Sequence, residues 1–182
     1  MKKPRIAIDM DEVMADVYPK FLDIYEEQHG RRPEYSEYAG GKIYDCVPGA
    51  EQLRSELHNE GFFRDLPLME GVIPVVRDLN EAAELIIVTS AQEFRNSLVD
   101  KYDWLQQHFP FLSWKQYVFV GAKHFINADY LIDDHLKNLR GFGGTGVLFD
   151  APHNEGNEDY VRVHNWEEIR AYFEGEGILE AQ

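Results

Sequence analysis

The chain has 182 residues, enough for one domain with a modest insertion and too few for two of ordinary size. Hydrophobic residues make up 44%, enough to bury a core. No apolar stretch approaches the ~20 residues of a membrane span, and the short run that ends at Asp9 is no export leader. A net charge of −15, with no lysine/arginine cluster beyond a pair, argues against a nucleic-acid polymer as partner. The single cysteine, Cys46, can form no disulfide within the chain, so a cytoplasmic protein is expected.

The first apolar run, Arg5–Asp9, predicts a buried strand. After Asp16 comes a helical stretch to His29, then a loop-like piece at 30–49 rich in Tyr, Gly and Pro, then another helical stretch to Glu60. The strand pattern resumes only at Glu84–Thr89. Residues 16–70 are therefore expected to be a small helical cap inserted after the first strand, on a discontinuous core of 1–15 and 71–182.

Further along, Phe94, Leu98, Tyr102, Leu105 and Phe109 recur every three or four residues, which predicts a helix laying that face on the core. Short apolar runs follow at Tyr117–Val120, Tyr130–Asp133, Gly146–Phe149 and Tyr160–Val163 and read as strands. The glycines of 141–146 fit a dinucleotide-loop spacing, but they follow a helical stretch and precede a strand. They predict a turn and not a cofactor site. Asn165, three residues before Glu168, predicts a capped final helix with Trp166, Ile169 and Phe173 inward, and 174–182 is expected to fray. The alternation of strand and helix predicts an α/β fold: a three-layer, Rossmann-like core with a central parallel sheet.

Two of these strands end in paired carboxylates, Asp9/Asp11 and Asp133/Asp134. Ligands gather beyond the carboxyl ends of parallel strands, so both pairs should face one site. Four acids at one edge repel unless a cation lies among them. All-oxygen donors beside a phosphate-bearing substrate favour Mg²⁺. Thr89 and Ser90 end another strand with two hydroxyls, and Lys123 lies ten residues before Asp133, where it can offset the charge of a bound anion. The seven histidines show no metal-ligand spacing and read as surface or packing residues.

Acids, hydroxyls, lysine, acids in that order resemble the haloacid dehalogenase-like phosphatases. Within that superfamily the chain is most similar to the 5'(3')-deoxyribonucleotidases, the cytosolic type C nucleotidases. The matching stretches are DMDEVMAD (9–16), GFFRDLP with the following MEGV (61–72), VTS (88–90), DKYDWLQQHF (100–109) and KHFINADYLIDD (123–134). The resemblance implies a phosphomonoesterase acting on (deoxy)ribonucleoside monophosphates, with Asp9 as covalent nucleophile and Asp11 as acid and base. It implies Mg²⁺ on Asp9, the backbone carbonyl of Asp11, and Asp134, with Asp133 in support. Thr89, Ser90, Lys123 and Lys101 would hold the phosphate, while Phe62, Phe63 and Tyr44 are candidates for contact with the substrate from the cap.

The strand bearing Asp9 should lie centrally, flanked by those ending in Thr89 and Asp133. The partner is then a small molecule, with a homodimer left open. Two positions depart from the family: Glu12 stands where a glycine is usual, and Val17 where an aromatic lies near the base. Two alternatives stay open at this point. One is a superfamily phosphatase for a sugar phosphate or another small phosphomonoester. The other is a phospho-receiver domain, whose acidic pair follows the first strand and whose acceptor Asp ends a later one.

Overall fold

A computed structural model describes residues 3–181. Six strands, β1 (Arg5–Ile8), β2 (Glu84–Thr89), β3 (Tyr117–Phe119), β4 (Tyr130–Asp133), β5 (Thr145–Phe149) and β6 (Val161–Val163), form one sheet in the order β3-β2-β1-β4-β5-β6. Every pairing is parallel. β1 is central because its residues are apolar on both faces: Ile6 and Ile8 enter the larger core cluster, and Ala7 enters a smaller one with Val88, Leu131 and Leu148. The register sets Ile8 beside Ile87 of β2 and Ile132 of β4, so Asp9, Ser90 and Asp134 leave the sheet at one edge.

On the Ile6/Ile8 face lie α4 (Val72–Ala82), α5 (Ser97–His108) and α7 (Trp166–Gly175). α4 buries Val72, Val75, Val76 and Leu79, the three-and-four spacing of one helical stripe. In α7 Trp166, Ile169 and Phe173 turn inward, and Asn165 caps the helix by accepting from the Glu168 N–H at 2.9 Å. The opposite face carries the short α6 (Leu136–Arg140), which buries Leu139. The glycine run after α6 is the expected turn into β5. At Gly144 a Cβ would lie 2.5 Å from the Asp129 carbonyl, so no larger residue fits.

Between β1 and α4 the chain forms α1 (Tyr18–His29), α2 (Ile43–Cys46) and α3 (Leu53–Glu56). It leaves and returns through a paired neck: the Asp16 N–H donates to the Pro67 carbonyl at 2.8 Å and the Met69 N–H to the Met14 carbonyl at 2.9 Å. α1 stops where expected, at Gly30, whose φ of 70° closes the helix against Glu26. The stretch 30–49 is less loop-like than its composition suggests, since α2 lies within it. The helix expected to reach Glu60 is a single turn, because Asn59, Glu60 and Gly61 interrupt any apolar stripe.

Two other expectations are corrected. Of the expected face only Leu105 and Phe109 are fully buried; α5 turns Ser97, Asp100, Lys101 and Trp104 inward beside them, and leaves Tyr102 41% exposed. Residues 174–181 do not fray: the N–H groups of Ile178 and Leu179 return to the Phe173 carbonyl, and Leu179 joins the core. Gln182 lies outside the described residues. Among the described residues no helix is long and apolar enough to cross a membrane.

Candidate active site

The loop after β1 is tight. The N–H groups of Met14 and Ala15 both return to the Met10 carbonyl, and Glu12 sits at φ 60°, the left-handed region that costs most residues ~1–2 kcal/mol. This bend presents Asp9, 6% exposed, and Asp11, half-buried, to a cavity of about 220 Å³. Lys123 comes in from the turn before β4, fully enclosed. Its ammonium donates to Asp133 Oδ2 at 2.6 Å and pairs with Asp9 Oδ1. Asp133 also accepts from the His135 N–H at 2.8 Å and from the Asn138 amide, so both of its oxygens are occupied. Its neighbour Asp134 has a buried Oδ1 with no partner, as has Asp11.

Burial raises the Asp9 carboxyl to about 6. Lys123 opposes that rise, while Asp133 and Asp11 add to it. Burial likewise holds Asp134 well above the ordinary range, with Glu12 adding to it and Lys42 opposing. Burial alone would raise Glu12 too, but Lys42 at 2.6 Å and His153 at 3.2 Å outweigh it and hold Glu12 at about 2. The buried carboxyls that carry the largest upward shifts are the ones beside the vacant oxygens.

The carboxylate oxygens of Asp9, Asp133 and Asp134 lie within 4.8 Å of one another, and the unpartnered oxygens of Asp134 and Asp11 supply free lone pairs. Such a set, all oxygen and net negative, fits a hard divalent cation. The oxygens of Asp133 are already committed to donors, so of the two it is Asp134 that keeps an oxygen free for a cation.

Lys101 Nζ, on the buried face of α5, lies 2.5 Å from Asp11 Oδ2 and 2.9 Å from Thr89 Oγ1. It also stands 4.5 Å from the centroid of the Phe63 ring. Thr89 is fully buried behind this lysine and off the cavity wall, whereas Ser90 is on the wall. The structure thus brings together Asp9, Asp11, Ser90, Lys101, Lys123 and Asp134, with Thr89 and Asp133 one layer behind.

Facing them is an apolar wall of Val17, Phe21, Leu57, Phe63 and Phe94, with Tyr44 at its edge. Phe62 is not part of it. Its ring packs 5.5 Å from Phe21 and 5.0 Å from Phe63, beneath the Lys20 ammonium, so it is a core residue. Val17 is buried, and Phe21, one helical turn on, provides a ring on that wall.

Lys42, Arg54, His135 and His153 are absent from the sequence-based site. Lys42 Nζ reaches Glu12 at 2.6 Å and Asp134 at 3.9 Å. Both rings of His135 and His153 stand at the same sheet edge, 4.4 Å apart, and are not the surface or packing residues expected. One signal was available: an acid at position 12, in place of glycine, demands a buried cation, and Lys42 is the cation it finds. Nothing in the spacing of His135 and His153 points to their meeting, because adjacency of β4 and β5 brings them together.

The family model of the 5' nucleotidase, deoxy (pyrimidine), cytosolic type C protein matches residues 3–174. A 5'(3')-deoxyribonucleotidase of Bacillus subtilis is 36% identical over 173 residues, covering 93% of this chain and 97% of its own. A Staphylococcus epidermidis relative, to which the same activity is provisionally ascribed, is 39% identical over 174 residues, covering 95% and 97%. In three dimensions the chain is similar to a HAD family hydrolase from Deinococcus radiodurans, solved with phosphate and sodium. That match has a TM-score of 0.65 over 99% of both chains at 14% identity, a likeness of fold. The acidic sheet edge, the order of its residues and these matches agree: the chain belongs to the family of cytosolic type C 5'(3')-deoxyribonucleotidases, which are phosphoric monoester hydrolases.

Proposed function

We propose that the chain hydrolyses deoxyribonucleoside monophosphates, pyrimidines foremost, through a phosphorylated Asp9 and with Mg²⁺ as cofactor. The observation that carries this reading is a cavity with two unlike walls. One wall holds Asp9, Asp11, Ser90, Lys101 and Lys123; the other is the apolar face of Val17, Phe21, Phe63 and Phe94. A nucleoside monophosphate has the same division, since its phosphate needs cations and hydroxyls and its base needs a flat apolar surface. Stacking of a base on an aromatic side chain is worth ~1–3 kcal/mol.

In the first step an Asp9 oxygen attacks phosphorus and the bond from phosphorus to the nucleoside oxygen breaks. Asp11 gives its proton to that oxygen. In the second step Asp11 takes a proton from water, whose oxygen attacks phosphorus and releases Asp9. Burial raises the Asp9 carboxyl to about 6, still below neutral pH, and Lys123 favours the carboxylate that a nucleophile needs. Lys101 pairs with Asp11 in the resting site. A substrate phosphate competes for that ammonium. Asp9, Asp134 and the Asp11 carbonyl would hold Mg²⁺, which supplies neutralisation of phosphoryl charge.

Residues 16–70, entered and left through the paired neck, act as the cap that supplies Phe21, Tyr44 and Phe63 and excludes water. The reaction belongs in the cytoplasm, where a chain with one exposed, unpaired cysteine is at home. The test is a comparison of kcat/KM for deoxyuridine, thymidine and purine monophosphates against sugar phosphates at fixed Mg²⁺. A sugar phosphate that wins by tenfold or more refutes the substrate assignment.

A further inference from the structure

The structure assigns a second metal site, for Zn²⁺ or a similar borderline-soft divalent ion, to Asp134, His135 and His153. His135 follows β4, and His153 lies on the turn Pro152–Asn154 after β5, so two adjacent parallel strands deliver them to one point. Nε2 of His153 lies 3.3 Å from Asp134 Oδ2 and Nε2 of His135 lies 3.8 Å from it. The ligand atoms of all three residues fall within 4.8 Å of one another. Two ligands each ~2.0–2.1 Å from a tetrahedral ion stand ~3.3 Å apart, so the His153–Asp134 edge already has the spacing and the His135 edge needs half an ångström of closure.

The second observation concerns His153 itself. Its side chain is only 10% exposed, yet neither ring nitrogen makes a hydrogen bond. A buried imidazole whose nitrogens face only carboxylates, with neither aligned in a hydrogen bond, is placed for a cation between its Nε2 and Asp134. Its Nδ1 stands 3.2 Å from Glu12 Oε2, a distance at which the carboxylate can back the ring. A carboxylate behind the far nitrogen of a ligating histidine is the usual outer partner of such a site, fixing the ring and its tautomer. Glu12, the residue that departs from glycine, is thus the outer carboxylate of this site as well as the partner of Lys42. Lys42 does not forbid the ion, because its charge is directed at Glu12 at 2.6 Å and is 3.9 Å from Asp134.

The donor set separates this site from the acidic centre. Asp9, Asp11 and Asp134 offer oxygen alone and suit Mg²⁺, whereas two imidazoles with one carboxylate favour Zn²⁺ over Mg²⁺ by ligand softness. Asp134 and His135 line the cavity, which gives an ion a way in and leaves a fourth position for water. Asp134 is common to both sites, so zinc withdraws a ligand from the magnesium centre. That consequence, inhibition by zinc, rests on the proposed phosphatase reading, while the binding itself does not.

The test is direct titration of the metal-free full chain with Zn²⁺ against a chromophoric chelator in excess Mg²⁺, with zinc per chain counted by elemental analysis. One zinc per chain is expected. His153→Gln and His135→Gln should each weaken it at least ~10–100-fold, the loss that even outer-partner changes cause. Asp9→Asn, which leaves the two histidines and Asp134 intact, should change it by no more than a few-fold. His135 is one-third exposed, so its variant keeps the test valid should His153→Gln fail to fold, as thermal melts would reveal. Absence of zinc binding in excess Mg²⁺ overturns the assignment. So does affinity unchanged in the histidine variants, or affinity lost as fully in Asp9→Asn as in His153→Gln. None of these readings depends on turnover.

Discussion

Glu12→Gly sets two effects against each other, and the structure gives a size to each. Glu12 is held at φ 60°, so glycine relieves ~1–2 kcal/mol of backbone strain, less the ~0.5–1 kcal/mol by which glycine also loosens the unfolded chain. Against this, removing the carboxylate leaves the Lys42 ammonium, 16% exposed, with Asp134 at 3.9 Å as its nearest acid. Breaking a buried pair from one side costs ~3–5 kcal/mol, and partial access to water with the remaining Asp134 reduces that to ~2–3 kcal/mol. The loss wins by ~1–2 kcal/mol, a fall in Tm of ~2–8 °C for a chain of this length.

Glu12→Gly with Lys42→Met leaves neither charge unpaired, and should recover most of the loss with a coupling energy of ~2 kcal/mol. The assay is thermal and urea unfolding of the four proteins at pH 7 without metal. The pH dependence has a definite sign. Glu12 is depressed from 4.5 to about 2, so its contribution is present above pH 4.5 and fades as the pH falls toward 2. The gap between wild type and Glu12→Gly should therefore narrow below pH 4.5. A higher Tm for Glu12→Gly, with no coupling to Lys42, refutes the reasoning.

Asp9→Asn should retain the fold and lose turnover by at least ~10⁴-fold, since an amide is a poor nucleophile; near-normal kcat sinks the covalent mechanism. Asp11→Asn should slow the reaction ~10²–10⁴-fold while still forming some phosphorylated Asp9, detectable by mass spectrometry of the intact chain. Mg²⁺ should raise Tm more at pH 7.5 than at pH 5. Asp9, raised from 3.8 to about 6, favours the native state below pH 3.8 and loses that contribution as the pH rises through 6. A cation therefore has more repulsion to relieve at the higher pH. An equal shift at both values, measured by calorimetry, counts against the acidic centre as the binding site.

Apolar patterning made the sheet legible: Glu84–Thr89 and Tyr130–Asp133 have the bounds read from composition, because a parallel strand covered on both faces is almost all apolar. The acids at strand ends were legible for the same reason, as polar residues at the end of an apolar run. What patterning missed is charge turned inward. On α5 the inward face carries Ser97, Asp100 and Lys101, so a rule that puts only apolar residues inside finds Leu105 and Phe109 but sets the first turns of the helix off its true face. Each buried polar group there has a partner from elsewhere in the chain: Ser97 donates to the Ala91 carbonyl, Asp100 accepts from the Gly61 N–H, and Lys101 holds Asp11 and Thr89. The partners of Asp100 and Lys101 are distant in sequence and leave no local signal. Lys42 with Glu12, and His135 with His153, are hidden for the same reason.

Such a face is a site for function at the expense of stability, and Lys101→Met tests that. Lys101 is 1% exposed, and methionine matches its length and packs against Phe63 without a charge to desolvate. Removing one partner of a buried pair is costly when the charge left behind stays buried, and replacing the ion is near neutral only where that charge reaches water. The Asp11 it releases is 29% exposed and can be solvated. Tm should hold or rise by a few degrees, while kcat/KM should fall at least ~10²-fold with loss of a cation aimed at the phosphoryl group. A chain several degrees less stable with its activity intact would make Lys101 a structural residue, and would place the phosphate on Lys123 and Ser90 alone.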